Sequence, residues 1–150
     1  MGIALIHEGI EKKFPSYFQS FTLPCEAIEE SLVVYRACKT RAVEKKSFLP
    51  SYEENNFLTP ENQAEPGEYS LSVYTKPKDV KRFAKLNGNF SPPWKIAKGA
   101  TAPCCGVVQK TRERDNSNRT SHIDWWLYEK ALPHEHFEII DDFDAYIGMK

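Results

Sequence analysis

The hydrophobic and polar positions of residues 68–86 follow first the period of a strand and then the period of a helix. Over residues 69–74 the odd positions carry a tyrosine, a leucine and a valine, and the even positions carry two serines and a tyrosine. Odd and even positions of a strand point to opposite faces, so this alternation is typical of a half-buried strand. Pro77 suits the first turn of a helix, Asp79 suits its positively charged end, and apolar residues then return at helical spacing. The pattern predicts a strand that leads directly into a helix ending near Leu86.

Five more segments have the pattern of strands: residues 32–38, 94–97, 106–109, 122–128 and 134–140. The first of these is a nearly continuous apolar run, which indicates a central strand. Predicted strands outnumber predicted helices, and the helices are concentrated early in the chain. We therefore predict an α+β fold with a mixed or mainly antiparallel sheet and a few short helices.

The domain organisation follows from length and from the position of the strands. A chain of 150 residues is long enough for one domain with a substantial core. Apolar residues near positions 3–10 recur at helical spacing, so residues 1–31 are predicted to form an N-terminal helical cap. Residues 32–140 then form the part of the domain that bears the sheet.

Composition restricts the partners. The chain is 41% hydrophobic and 27% charged, with a formal net charge of −1, which is the balance of a soluble globular protein. A nucleic acid is not an expected partner at this charge, although the basic segment at 110–121 leaves one open. No apolar run approaches the roughly 20 residues of a membrane span and no signal peptide is recognisable, so we expect a cytoplasmic protein without membrane association.

Three polar positions occur in an order that suggests chemistry. Arg36 follows an apolar run, where its charged group is expected at a strand end in water or in a salt bridge. Ser70 and Ser72 share one face of the strand at 69–74, and Glu138 precedes two isoleucines in a late strand. In this order the chain resembles the ADP-ribosyltransferase-like fold, in the group whose signature is arginine, Ser-Thr-Ser and glutamate.

The resemblance implies an NAD-binding enzyme that transfers ADP-ribose or cleaves NAD. Arg36 would hold the dinucleotide through a phosphate or ribose, which suits its planar fork of donors. Ser70 and Ser72 would steady the nicotinamide ribose. Glu138 would be catalytic, because a carboxylate stabilises the positive charge that develops as nicotinamide leaves. Either Tyr52 or Tyr74 would stack on the nicotinamide ring.

Two residues depart from the signature. Leu71 stands where the group has its middle threonine, and His136 stands two residues before the glutamate, where a second acid is frequent. Transfer to an arginine acceptor is therefore not implied. Hydrolysis of the cofactor, or transfer to another acceptor, stays open.

A metal-dependent enzyme is an alternative interpretation of the same late segment. His134, His136 and Glu138 alternate along a predicted strand, and imidazoles with a carboxylate are ligands for Zn²⁺ or Fe²⁺. First and last Cα would be about 13 Å apart, so only the two histidines could share an ion. The four cysteines form no CxxC pair and are expected to be buried or incidental thiols. We expect no metal.

A non-enzymatic accessory or inhibitor protein is the other alternative. Trp94, Trp125 and Trp126, together with the basic segment at 110–121, would offer a surface for a protein partner. Adjacent residues of a strand point to opposite faces, so at most one of the paired tryptophans is available to such a partner.

Overall fold

The computed structural model of the chain describes residues 13–15, 18, 23–54, 66–87 and 94–148. Within this part of the chain, six strands form a single sheet in the order β4-β5-β2-β1-β3-β6, and neighbouring strands are antiparallel. The strands are β1 (Val33–Cys38), β2 (Leu71–Tyr74), β3 (Lys95–Ala100), β4 (Gly106–Lys110), β5 (His122–Leu127) and β6 (Phe137–Ile139).

In the described residues three short helices accompany the sheet: α1 (Ser51–Glu54), α2 (Pro77–Asn87) and α3 (Phe143–Gly148). Short 3₁₀ turns occupy Lys45–Ser47, Pro66–Tyr69, Thr111–Glu113 and Pro133–His136. The α+β class and the antiparallel sheet are thus confirmed. None of the described helices is long and apolar enough to cross a membrane. The predicted cap helix near positions 3–10 lies outside the described residues.

The main core lies on one face of the sheet, because side chains alternate along each strand. On β1 this face carries Val34 and Cys38, and on β2 it carries Leu71 and Val73. Trp125 of β5 joins them with no exposed surface. Burial of these apolar side chains supplies the main stabilisation of the sheet.

Two smaller apolar clusters cover the other face. Helix α2 buries Val80 against Tyr35 and Tyr74, and the 3₁₀ turn at Pro66–Tyr69 holds Tyr69 against Tyr52 and Trp126. The predicted unit of strand and helix at 69–86 is therefore confirmed from Leu71 onwards.

The last strand is shorter than its pattern predicts. The alternation at 134–140 predicted one strand, but β6 begins only at Phe137 and both histidines lie in the preceding 3₁₀ turn. The physical reason is Pro133, which opens that turn and whose fixed φ favours it. His134 and His136 therefore do not alternate along a strand face.

The paired tryptophans are both buried. Trp125 and Trp126 have no exposed surface, because β5 lies between β4 and β2 and both of its faces are covered. The indole N–H of Trp126 donates to the carbonyl of Pro66 at 3.0 Å. This agrees with the prediction that at most one of them is available to a partner, since in the structure neither is.

Candidate functional site

Arg36 lies inside the protein, with only 7% of its surface exposed. Its Nε donates to the carbonyl of Ser47 at 2.9 Å, and its Nη1 donates to the carbonyl of Ser72 at 2.8 Å. β1 and β2 share one aligned pair, Tyr35 with Tyr74, so the guanidinium bridges the strands where the ladder stops. The expectation of a charged group in water at a strand end is wrong, because β1 continues past Arg36 and backbone carbonyls satisfy its donors.

Burial also lowers the pKa of Arg36, and the nearby carboxylate of Glu54 opposes that effect. An arginine side chain nevertheless keeps its charge in proteins. The result is a fixed cation held between β1, β2 and the turn at Lys45–Ser47. Two of its five N–H donors are used by protein carbonyls, which leaves three for other acceptors.

Arg36, Ser70 and Ser72 line one hollow of about 60 Å³, which we call the arginine hollow. The structure thus brings three of the predicted site residues to the same place. The remaining lining residues come from β1, from the segment around α1 and from α2: Ala37, Lys39, Leu49, Ser51, Glu54 and Phe83.

Glu54 supplies a carboxylate to the arginine hollow that the sequence analysis did not identify. Its Oε1 accepts a hydrogen bond from Nζ of Lys39 at 2.9 Å. Both residues are remote in sequence from Ser70 and Ser72. Phe83 adds an aromatic ring to the same lining.

Glu138 does not line the arginine hollow. It is an exposed residue of β6, opposite Lys98 of β3, and Lys98 is in turn opposite Tyr35 of β1. Glu138 therefore projects on the same side of the sheet as Tyr35 and Ser72, so the intervening strands and not the sheet face separate it from the hollow. β3 also lies between β6 and β1, so the carboxylate and the guanidinium are two strands apart.

Neither predicted stacking tyrosine lines the hollow. Tyr52 is buried with its ring 4.8 Å from that of Tyr69. Tyr74 is buried against Phe83 and His122, and burial raises its pKa to about 12, with Asp79 adding to the effect. Both rings serve apolar packing.

A buried polar network crosses the sheet beside the hollow. Register places Ser72 of β2, Asp124 of β5 and Gln109 of β4 in one row on the same face. Asp124 is 1% exposed and lies at the centre of the row. This row separates the two apolar clusters of that face.

Three donors converge on the carboxylate of Asp124. Ser70 Oγ lies 2.6 Å from Oδ1, while Thr111 Oγ1 lies 2.8 Å and Arg114 Nη2 2.7 Å from Oδ2. Arg114 also donates to Gln109 Oε1 at 3.0 Å, and its guanidinium lies 5.5 Å from the ring centroid of Trp126. The acid is thus fully partnered despite its burial, as a buried charge must be.

The direction of these bonds fixes the tautomer of His122. Thr111 has one hydroxyl proton, which it donates to the ionised Asp124, so its contact with His122 must be donated by the Nδ1–H of the imidazole. Nε2 then carries the lone pair. Burial lowers the pKa of His122, Arg114 and Arg36 lower it further, and Asp124 partly opposes them. The ring is therefore neutral near pH 7.

His122 also lines a second hollow, of about 120 Å³, which we call the basic hollow. The nine lining residues include four cations and no Asp or Glu. Hydroxyl groups from the residue after β2 and from the two residues before β5 complete its polar surface. The members are Thr75, Lys76, Lys110, Arg112, Arg119, Thr120, Ser121, His122 and Ile123.

The network connects the two hollows. It runs from Ser70 in the arginine hollow through Asp124 and Thr111 to His122 in the basic hollow. The basic segment at 110–121 takes part in this network, since Thr111 is buried and Arg114 docks onto Asp124.

Of the two histidines in the metal alternative, His136 lies beside two cysteines. The donor atoms of Cys104, Cys105 and His136 all lie within 4.8 Å of one another, whereas neither His134 nor Glu138 belongs to this group. Among the described residues this is the group with metal-ligand geometry, and a structural zinc site normally has four ligands. Burial, with the neighbouring Cys104, raises the pKa of Cys105 to about 12.

Similarity to known proteins does not identify either hollow. No protein-family model matches the sequence, and neither the curated proteins nor the solved structures provide a match. Function must therefore be inferred from the two hollows and the network between them.

Proposed function

We propose that the protein binds NAD at the arginine hollow and breaks the bond between nicotinamide and its ribose. The chemistry is that of an ADP-ribosyltransferase-like or NAD-cleaving enzyme. One observation carries the proposal: Arg36, Ser70 and Ser72, which the sequence resemblance assigns to NAD, line the same hollow although Arg36 belongs to β1 and the serines to β2 and the residue before it.

The free donors of Arg36 suit an anionic ligand. Its Nε and Nη1 are held by carbonyls, so the orientation of the guanidinium is fixed before a ligand arrives. A preorganised guanidinium binds a phosphate or ribose oxygen at a lower entropic cost than a mobile one. Arg36 therefore anchors the dinucleotide.

The two serines have different roles. Ser72 is partly exposed in the hollow, so its hydroxyl is available to the nicotinamide ribose. Ser70 is buried, with its hydroxyl shared between Asp124 Oδ1 and the carbonyl of Gly67. Ser70 positions the strand and the network, and Ser72 contacts the ligand. Phe83 provides the ring on which nicotinamide stacks.

A carboxylate in the hollow accelerates the bond cleavage. As the C–N bond breaks, nicotinamide leaves with the bonding electron pair and the ribose becomes oxocarbenium-like, so a nearby anion stabilises the transition state. We assign this role to Glu54, which lines the hollow, rather than to Glu138. Water or an acceptor hydroxyl then adds to the ribose carbon and releases a proton.

Two measurements test the proposal. Calorimetry with NAD is expected to give saturable heat, and chromatography is expected to show nicotinamide released from NAD by the native protein. Ser72→Ala is expected to weaken NAD binding by about tenfold, the effect of losing one good hydrogen bond. Neither heat nor nicotinamide release from correctly folded protein overturns the proposal.

A matched pair of variants tests the assignment of the carboxylate. Glu54→Gln is expected to lower the rate of nicotinamide release by about 10²-fold or more with little change in NAD affinity, as removal of an electrostatic group does. Glu138→Gln is expected to change the rate by less than about twofold, because an exposed residue of β6 is remote from the hollow. The reverse result transfers the role to Glu138 and removes Glu54 from it.

A further inference from the structure

The basic hollow has no role in the chemistry proposed above, and its composition is unusual for a protein of net charge −1. Lys76, Lys110, Arg112 and Arg119 line it together. Within the described part of the chain none of these four cations forms an ion pair with a carboxylate. The molecule therefore gathers four cations without ion-pair partners around one hollow.

We propose that the basic hollow binds a phosphate ester, carried either by a free nucleotide or by a nucleic-acid strand. Four like charges without ion-pair partners repel one another, and an anion that enters relieves this repulsion. Arginine and lysine are the side chains with which proteins bind phosphate.

The lining favours the phosphate over the base as the group recognised. Besides the cations, the basic hollow presents the hydroxyl groups of Thr75 and Ser121, which are donors to phosphate oxygens. The only ring among the lining residues is the imidazole of His122, whereas sites that recognise bases use aromatic stacking platforms.

The walls of the basic hollow are held in place by hydrogen bonds. The backbone N–H of Lys76 donates to Ser121 Oγ at 3.0 Å, and the N–H of Ser121 donates to Asp79 Oδ2 at 2.8 Å. Thr120 is held to Asn118 Oδ1 through its hydroxyl at 2.8 Å. The start of α2 and the start of β5 are thus fastened together around the cavity.

This site is separate from the arginine hollow. Ser72 of the arginine hollow and Thr75 of the basic hollow are three residues apart along β2 and its end, which corresponds to about 10 Å. One phosphate group cannot occupy both. The inference therefore stands whether or not NAD binds at Arg36.

Two double variants test the inference with equal changes in charge. Arg112→Ala/Arg119→Ala removes two exposed cations of the basic hollow, and Arg82→Ala/Lys85→Ala removes two exposed cations of α2 that do not line it. Binding of pyrophosphate, ADP and a single-stranded RNA decamer is measured by calorimetry at low ionic strength. Adenosine serves as the ligand without phosphate.

The native protein is expected to bind pyrophosphate and ADP saturably and adenosine at least about tenfold more weakly, because a charge-assisted contact is worth that factor or more. The first double variant is expected to lose at least about tenfold in affinity and the second less than about twofold. A decamer that binds more than about tenfold tighter than ADP identifies nucleic acid as the source, and otherwise the source is a free nucleotide.

A spectroscopic readout locates the binding. The ring signals of His122, identified by their absence in His122→Gln, are expected to shift when pyrophosphate is added, because this ring lines the basic hollow. The inference is overturned if none of the three phosphate ligands binds, if both double variants bind equally well, or if the ring signals do not move.

Discussion

Replacing Asp124 by alanine removes the carboxylate on which the buried network converges. Asp124 is 1% exposed, and it accepts hydrogen bonds from Ser70, Thr111 and Arg114 at 2.6, 2.8 and 2.7 Å. Each hydrogen bond to a charged group contributes about 1.5–3 kcal/mol. Simple addition would give about 4.5–9 kcal/mol for the three bonds.

The expected loss is smaller, because all three donors have a second partner. Ser70 also reaches the carbonyl of Gly67 at 3.0 Å, Thr111 contacts His122, and Arg114 keeps Gln109 Oε1. The side chain of Arg114 is moreover 26% exposed, so water can solvate its charge once the carboxylate is gone. We therefore expect Asp124→Ala to lower the free energy of unfolding by about 3–5 kcal/mol, as for a broken buried ion pair.

Urea denaturation followed by circular dichroism measures this loss. The control is Asp141→Ala, an exposed acid of the same type, for which we expect a change within about 0.5 kcal/mol. A double-mutant cycle with Arg114→Met is expected to show a coupling energy of about 1–3 kcal/mol between the two side chains. A loss below about 1 kcal/mol for Asp124→Ala would refute the description of Asp124 as the centre of the network.

Three further changes test other parts of the structure. Arg36→Lys is expected to lower the free energy of unfolding by about 2–4 kcal/mol, since one ammonium cannot span the carbonyls of Ser47 and Ser72; urea denaturation showing a loss under about 1 kcal/mol contradicts this. The pKa of His122, measured by NMR titration, is expected below 6.5. As the pH falls, His122 binds a proton in the unfolded chain before it does so in the folded chain. The contribution of this histidine to the free energy of unfolding is therefore complete above pH 6.5 and is lost as the pH falls towards its folded pKa. His122→Gln is expected to remove that contribution. Gly99→Ala is expected to lower the free energy of unfolding by about 1–3 kcal/mol or more, because the added Cβ would lie 2.2 Å from the carbonyl oxygen of His136. In Gly148→Ala the added Cβ has no atom within 4 Å, so this variant is expected to be nearly neutral. Equal thermal stabilities of the two variants would contradict the packing at Gly99.

The strands could be predicted where the pattern of side chains is local. A continuous apolar run marked β1, and alternation followed by Pro77 marked β2 and α2. The burial of Arg36 could not be predicted in this way, because its partners are backbone carbonyls of Ser47 and Ser72. No residue type signals such a carbonyl in the sequence.

Only part of the candidate site could be predicted, because some of its residues meet through tertiary packing alone. The order of Arg36, Ser70 and Ser72 along the chain was sufficient to group them, but Glu54 enters the arginine hollow only through the packing of α1. For the network there was a signal: Asp124 stands between apolar and aromatic neighbours in a strand, and a buried acid in such a position needs partners. Its partners Thr111 and Arg114 lie in the polar segment at 110–121, where the sequence carries no sign of burial.

Binding of NAD can be mapped directly by titrating the isotope-labelled protein and recording the backbone amide signals by NMR. The proposal predicts saturable shifts that are largest around Arg36, Glu54, Ser70 and Ser72, which line the arginine hollow. Absence of any shift at millimolar NAD, or shifts confined to the exposed edge strand that carries Glu138, would contradict it.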